Sequence, residues 1–261
     1  MKPFESLVPT YMSQPVVTVS RATPIREVAE LLGRGTISAV PVCENGAVVG
    51  VVSRTDLLRE GLLHAGARPG SAAIAFPAKG AEHLMTPDPV VVTPAMSLRE
   101  AAVRMLEHHV HRVFVVDGGA CVGVLSSHDL ARAVRDARVE TPLSAVMTVP
   151  LVTIDAHAPI SAATELLAES KVSGLVVTEE RWPVGLFSQI EALASQALPR
   201  GTRVDEVLDP SMVCFPETFA LHRAAATAFE LGARRVIACR QRDAVGIITG
   251  TDFVKIVAAA A

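Results

Sequence analysis

The chain has 261 residues, half of them apolar and one fifth charged, and carries a formal net charge of −3. That length and apolar content suffice for one or two folded domains with a sizeable core, and a pI of about 6.2 speaks against a broad basic face for nucleic acid, with Arg234-Arg235 and Arg240 to Arg242 as local exceptions. No apolar run reaches the roughly 20 residues of a membrane helix and Met1 to Thr10 lacks the build of a secretory signal, so a cytoplasmic location is expected.

In chain order, Val16 to Val19 reads as a short strand. Thr23-Pro24 opens a helix, with Thr as N-cap and Pro at the first helical position, and Ile25, Val28, Ala29 and Leu32 fall on one face of it. Two strands follow, Ala39 to Cys43 and Ala47 to Val52, joined through Glu44-Asn45-Gly46, where Asn-Gly favours the left-handed backbone of a tight hairpin. Ser53 to Leu63 predicts a second helix, and Gly61 to Gly80, rich in Gly, Ala and Pro, a connecting loop.

The order β-α-β-β-α then recurs. Met12/Asp56, Met85/Asp129, Met147/Glu191 and Leu208/Asp252 are each separated by 44 positions, which marks a four-repeat array. In repeat 2 the hairpin turn is Gly118-Gly119, and the strand Cys121 to Leu125 leads into Ser126 and Asp129. In repeat 3, Leu175 to Val177 and Val184 to Phe187 flank a loop at Glu179 to Pro183. In repeat 4, Val236 to Cys239 and Ala244 to Ile248 flank Arg240 to Asp243. One unit of about 50 residues buries too little surface alone, so the α/β (α+β) repeats are expected to pair into two modules, 1–139 and 140–261. Cys43, Cys121, Cys214 and Cys239 show no zinc spacing and read as buried small apolar residues. Cys43 and Cys239 both lie 31 positions after their anchors, at matching packing positions.

The segments Gly50-Val-Val-Ser53-Arg-Thr-Asp56, Gly123-Val-Leu-Ser126-Ser-His-Asp129, Gly185-Leu-Phe-Ser188-Gln-Ile-Glu191 and Gly246-Ile-Ile-Thr249-Gly-Thr-Asp252, with Ile37-Ser-Ala-Val-Pro41 and His111-Arg-Val-Phe114 upstream, resemble the cystathionine-β-synthase-type repeat, the CBS motif. Members of that family pair into two-repeat Bateman modules. The resemblance covers nearly the whole chain. It implies clefts between paired sheets that bind AMP, ADP or ATP, and sometimes S-adenosylmethionine. It implies a free-standing regulatory protein or subunit that signals to another protein, not an enzyme with a catalytic cofactor. Homodimerisation is expected from the same resemblance.

By the resemblance, Asp56, Asp129 and Asp252 accept the two hydroxyls of a ribose, as an ionised carboxylate can. Three residues earlier, Ser53, Ser126 and Thr249 offer hydroxyls and unused N–H groups at a helix start, which suit phosphate. Plain N-capping is the alternative for the same pattern. Thr18, Ile37, Ala39, Pro41 and Arg54 complete the site of repeat 1, with small Ala39 and rigid Pro41 leaving room for a base. In repeat 2, His111, Arg112 and His128 join Ser126 and Asp129, and Arg112 is expected to reach the phosphates of a ligand held by Asp56. His108, His109, His111 and His128 lack zinc spacing, so metal binding is the lesser reading. Glu191 replaces the ribose acid in repeat 3, where a weak or empty site is expected. Repeat 4 keeps Thr249 and Asp252 and adds Arg234 and Arg235, while Cys214 stands where the other repeats have Thr18, Val91 and Thr153. The first module is expected to bind better. A scaffold, a nucleic-acid-associated protein and an enzyme are the competing functions. The last is disfavoured by the lack of a Ser-His-Asp order or a Walker loop.

Overall fold

The computed structural model describes residues 4–33, 37–57, 60, 77–170, 172, 174–195, 198–233 and 235–260. Most of the expected loop at 61–80, the Leu63 end of the predicted helix and Arg234 lie outside these residues.

Among the described residues there are four three-stranded sheets, one around the hairpin of each repeat, that of repeat 1 being completed by Thr86–Pro87 from the anchor segment of repeat 2. In repeats 2, 3 and 4 a short first strand (Val91–Val92, Thr153–Asp155, Val213–Pro216) runs parallel to the middle strand. The expected strand Val16 to Val19 is reduced in repeat 1 to one parallel bridge, Val19 to Val42. Pro41 is the reason. Val19 N donates to Pro41 O and Cys43 N to Val19 O, but the next rung needs an N–H at Pro41, which proline lacks. Phe114 and Val176, at the matching positions, do donate, to Val90 O and Val152 O.

The middle strand of each repeat turns back in a hairpin. Asn45 and Gly46 take φ 50° and 85°, Gly118 and Gly119 55° and 86°, the left-handed pair that suits a two-residue turn. Repeat 3 corrects the expected loop at Glu179 to Pro183. Glu180 and Arg181 themselves adopt φ 47° and 70°, so the strands extend to Gly174–Glu179 and Trp182–Ser188, with Pro183 opposite Thr178. Repeat 4 tightens likewise, to Val236–Arg240 and Asp243–Ile248. The ladders bulge between Val42 and Cys43 and between Ala238 and Cys239, which gives the two cysteines equivalent places. Only Cys239 is fully buried; Cys43, Cys121 and Cys214 are half-buried.

The anchors of the period explain the glycines. A Cβ on Gly123 would come within 3.0 Å of Met12 Cγ, and one on Gly50 within 2.9 Å of Met85 Cγ. Gly246 likewise receives Met147, and Gly185 receives Leu208. Each repeat's strand glycine is thus the socket for its partner's anchor, reciprocally within repeats 1 and 2 and within repeats 3 and 4. The residues after the anchors pair with the same strands: Ser13 with Val124, Thr86 with Val51, Thr148 with Ile247 and Asp209 with Leu186.

Contacts divide the chain into two compact units. The first holds residues 8–96 and 112–125. In it Ile25, Val28 and Leu32 of the helix Ile25–Gly33 pack, as the periodicity predicts, on Val40, Val42 and Val52. Residues 54–57 and 60 are helical there. The second holds residues 1–7, 97–111 and 126–261. In it the helix Ile160–Ser170 lays Ile160, Ala163 and Leu167 on Leu175, Val177 and Phe187.

The second unit also contains a crossed seam between the helices of repeats 2 and 4. Leu98–Glu107 packs on Gly250–Ala259, and Ser127–Asp136 packs on both Leu221–Glu230 and Gly250–Ala259. A Cβ on Gly250 would stand 3.0 Å from Ser127 Cβ, so the two second helices touch at their first turns.

Candidate functional site

The second strand of each hairpin leads into a hydroxyl residue that caps the start of a helix, and the acid three residues on folds back onto it. Asp56 Oδ2 accepts from Ser53 N at 2.8 Å and from Ser53 Oγ at 2.6 Å. Asp129 Oδ2 accepts from Ser126 N at 2.9 Å and Oγ at 2.7 Å, and Asp252 Oδ2 accepts from Thr249 N and Oγ1, both at 2.9 Å. Glu191 closes the same contact on Ser188 N at 2.7 Å, so its extra methylene fits the turn. These are the bonds by which a capping box satisfies the unused N–H of a helix start. Ser97 and Glu100 form another at the start of Leu98–Glu107, and those bonds hold the Glu100 carboxyl below its ordinary range.

Beyond capping, the repeats differ. Asp129 and Asp252 are buried, 5% and 3% exposed, while Asp56 is half-buried. Asp252 Oδ1 accepts a second set of bonds, from Thr148 Oγ1 at 2.9 Å and Lys255 Nζ at 3.3 Å. This carboxylate stands in a cleft of about 220 Å³ between repeats 3 and 4. Pro150, Leu151, Val152, Val172 and Ile247 make an apolar wall, and Arg235, Thr249 and Lys255 make the polar side with the acid. Arg235 lies against Gly174, where a Cβ would come within 3.0 Å of its guanidinium. Such a cleft, apolar with a few convergent polar groups, has the make-up of a small-molecule site.

The structure therefore brings Arg235, Thr249 and Asp252 together. It places other predicted residues differently. Arg54 donates from Nε to Leu32 O at 3.0 Å and from Nη2 to Ile37 O at 2.7 Å, tying the helix Ile25–Gly33 to the strand that follows. Ile37 packs against the core of repeat 1, Ala39 is half-buried and Pro41 buried in mid-strand, and Thr18 is exposed. Arg112 is half-buried at the head of its strand; His111 is exposed, and its carbonyl accepts from Ser127 N at 2.9 Å. His128 stacks its ring on Phe229 in the helix seam, centroids 4.7 Å apart, with Arg135 over the same ring at 5.2 Å.

Sequence reasoning missed Thr148 and Lys255, although both carry a signal. Thr148 follows its anchor as Ser13 and Thr86 follow theirs, and Lys255 stands three residues after the acid, as Arg132 does. The surroundings of the thiols disfavour the reactive thiolate. Burial and the neighbouring Cys239 push Cys214 up to about 12, and burial raises Cys43, Cys121 and Cys239. Among the described residues no helix is long and apolar enough to cross a membrane.

The profile of the CBS domain matches residues 8–62, 81–136 and 143–196, more than half of the chain. The CBS domain-containing protein YhcV of Bacillus subtilis is 30% identical over 126 residues, covering 48% of this chain and 84% of its own. Protein MJ1225 of Methanocaldococcus jannaschii superposes with a TM-score of 0.76 at 16% identity, covering 96% of this chain and 99% of that one. An uncharacterized conserved protein of Pyrococcus horikoshii superposes at 0.68 and 21% identity, over 97% and 100%. Repeats in register, matched by the profile and by the folds of these neighbours, establish that the chain belongs to the CBS domain family.

Proposed function

We propose that this protein is a cytoplasmic regulatory sensor of adenine nucleotides, AMP, ADP or ATP, with S-adenosylmethionine as a further candidate, and that it signals to another, unidentified protein. CBS-domain proteins are typically regulatory rather than catalytic. The observation that carries the proposal is the cleft at Asp252, where a buried carboxylate able to accept sugar hydroxyls, two cations and an apolar wall face one space. The reciprocal anchors support repeats 1–2 and 3–4 as the working pairs, with a boundary near 139–142. With the helices of repeats 2 and 4 facing each other inside one chain, a second copy is the proposed partner for those of repeats 1 and 3, a matter for light scattering.

A ligand that binds only the folded chain stabilises it by RT ln(1 + [L]/Kd), about 2.7 kcal/mol at a hundredfold excess. The thermal midpoint is to be measured with each adenine ligand and with GTP as control, in wild type, Asp129→Ala and Asp252→Ala. Because both substitutions also break a capping box, the ligand-induced rise is compared rather than the midpoint itself. Loss of the rise in Asp252→Ala assigns the site to the cleft of repeats 3 and 4. Loss in Asp129→Ala assigns it to the first pair, which the sequence favours. No rise with any adenine ligand sinks the nucleotide reading and leaves a scaffold.

A further inference from the structure

We infer that Lys255 is the residue by which this cleft tells a phosphorylated nucleoside from a bare one, and that it does so by leaving Asp252 for the phosphate. The inference rests on the nucleotide reading above.

Asp252 is already saturated. A carboxylate offers about four acceptor sites, and here they meet Thr249 N, Thr249 Oγ1, Thr148 Oγ1 and Lys255 Nζ. A ribose brings two more hydroxyl donors, so a sugar seated on Asp252 must displace donors from Oδ1. Thr249 cannot be the one to leave without opening the helix cap. Lys255 can, because its ammonium is a point charge on a flexible stem, 58% of its side chain is exposed, and 3.3 Å is a loose contact. A bare nucleoside sends the ammonium into water and leaves it no new anion. A phosphate on the same sugar gives it one inside the cleft, so sugar binding and phosphate binding reinforce each other through one side chain.

Repeat 2 carries the same relation, and repeat 1 has its spacing in sequence. Arg132 stands 3.7 Å from Asp129 at the matching position, and Arg59 follows Asp56 at that spacing. Repeat 3, whose acid is Glu191, has Ala194 there.

The test uses the full chain carrying Asp56→Ala and Asp129→Ala, so that calorimetric titration with AMP and adenosine reports the Asp252 cleft. The expected preference for AMP falls by about tenfold to a hundredfold in Lys255→Met, the worth of one charge-assisted bond, while adenosine binds as before or tighter. Equal weakening of both ligands reduces Lys255 to a prop for the carboxylate and overturns the inference. So does an unchanged ratio in Lys255→Met alongside a collapsed ratio in Arg235→Met, which moves the role to the guanidinium. Should the variant fail to fold, the unsubstituted chain suffices: it has four lysines, at 2, 79, 171 and 255, and lysine-selective NMR follows the last directly. A Lys255 signal that AMP leaves unmoved, while heat shows AMP bound at the cleft, also overturns it. Binding by the unsubstituted chain but not by the doubly substituted one puts the ligand on the first pair and overturns the inference, whereas binding of neither ligand by the unsubstituted chain removes the nucleotide reading itself.

Discussion

Replacing Gly123 by Ala tests whether the exchanged anchors hold the repeats together. The residue lies within the strand Ala120–Ser126 and is not in the left-handed region, so the backbone accepts alanine and only the methyl matters. That methyl would meet Met12 Cγ at 3.0 Å and Cε at 3.2 Å, with the sulfur nearer still. Overpacking of this kind costs about 1–3 kcal/mol, partly offset by the roughly 0.5–1 kcal/mol that alanine gains over glycine inside a strand. Met12→Ala empties the socket instead and is expected to cost about 1–2 kcal/mol, at the low end for Met→Ala because Met12 is half-buried. It also removes every atom the new methyl would strike. The double variant should therefore be more stable than the sum of the singles by about 1–2 kcal/mol, the size of coupling seen between touching residues. Urea unfolding of all four proteins measures it. Additive costs within about 0.5 kcal/mol would refute the socket.

Phe229→Ala, which removes the stack with His128 and the ring under Arg135, should cost about 1–3 kcal/mol in the same assay, with Phe229→Tyr close to wild type. Arg54→Met leaves the carbonyls of Leu32 and Ile37 without their charged donor and is expected to destabilise by about 1–3 kcal/mol; a stability unchanged from wild type would show those bonds idle. The thiolate is the reactive form of cysteine, and a pKa raised to about 12 keeps Cys214 protonated. Its alkylation in the folded chain should keep rising with pH long after the unfolded chain, titrating near about 8.5, has levelled off. Mass spectrometry of the peptide resolves the two curves.

Much of this structure could be read from the chain because it rests on local rules applied four times. The constant anchor spacing gave the repeat, Asn45-Gly46 and Gly118-Gly119 gave their turns, and Ser or Thr three residues before an acid gave the helix starts. What escaped depends on partners distant in sequence or on one residue overriding a pattern. The methionine anchors and strand glycines were visible as constants, but nothing local says that Met12 fits Gly123 rather than Gly50. Pro41 is expected to leave room for a base, and its missing N–H also ends the strand at Val19. His128 is expected to join Ser126 and Asp129 at the site of repeat 2, and no local pattern shows that its ring stacks on Phe229, far away in sequence. Glu180 and Arg181 took the turn that glycine usually takes, and so hid a tight hairpin inside an apparent loop. Lys255 and Thr148 belong to opposite ends of the second half of the chain and meet only when repeat 3 lays its anchor on repeat 4.

That laying of one anchor on another's strand also says what can be inherited. A single repeat, cut out and copied elsewhere, would carry a peg with no hole and a hole with no peg. Insertion, deletion or splicing that respects the reciprocity must move these segments two at a time, so the smallest portable piece of this chain is a couple, although its sequence counts in ones.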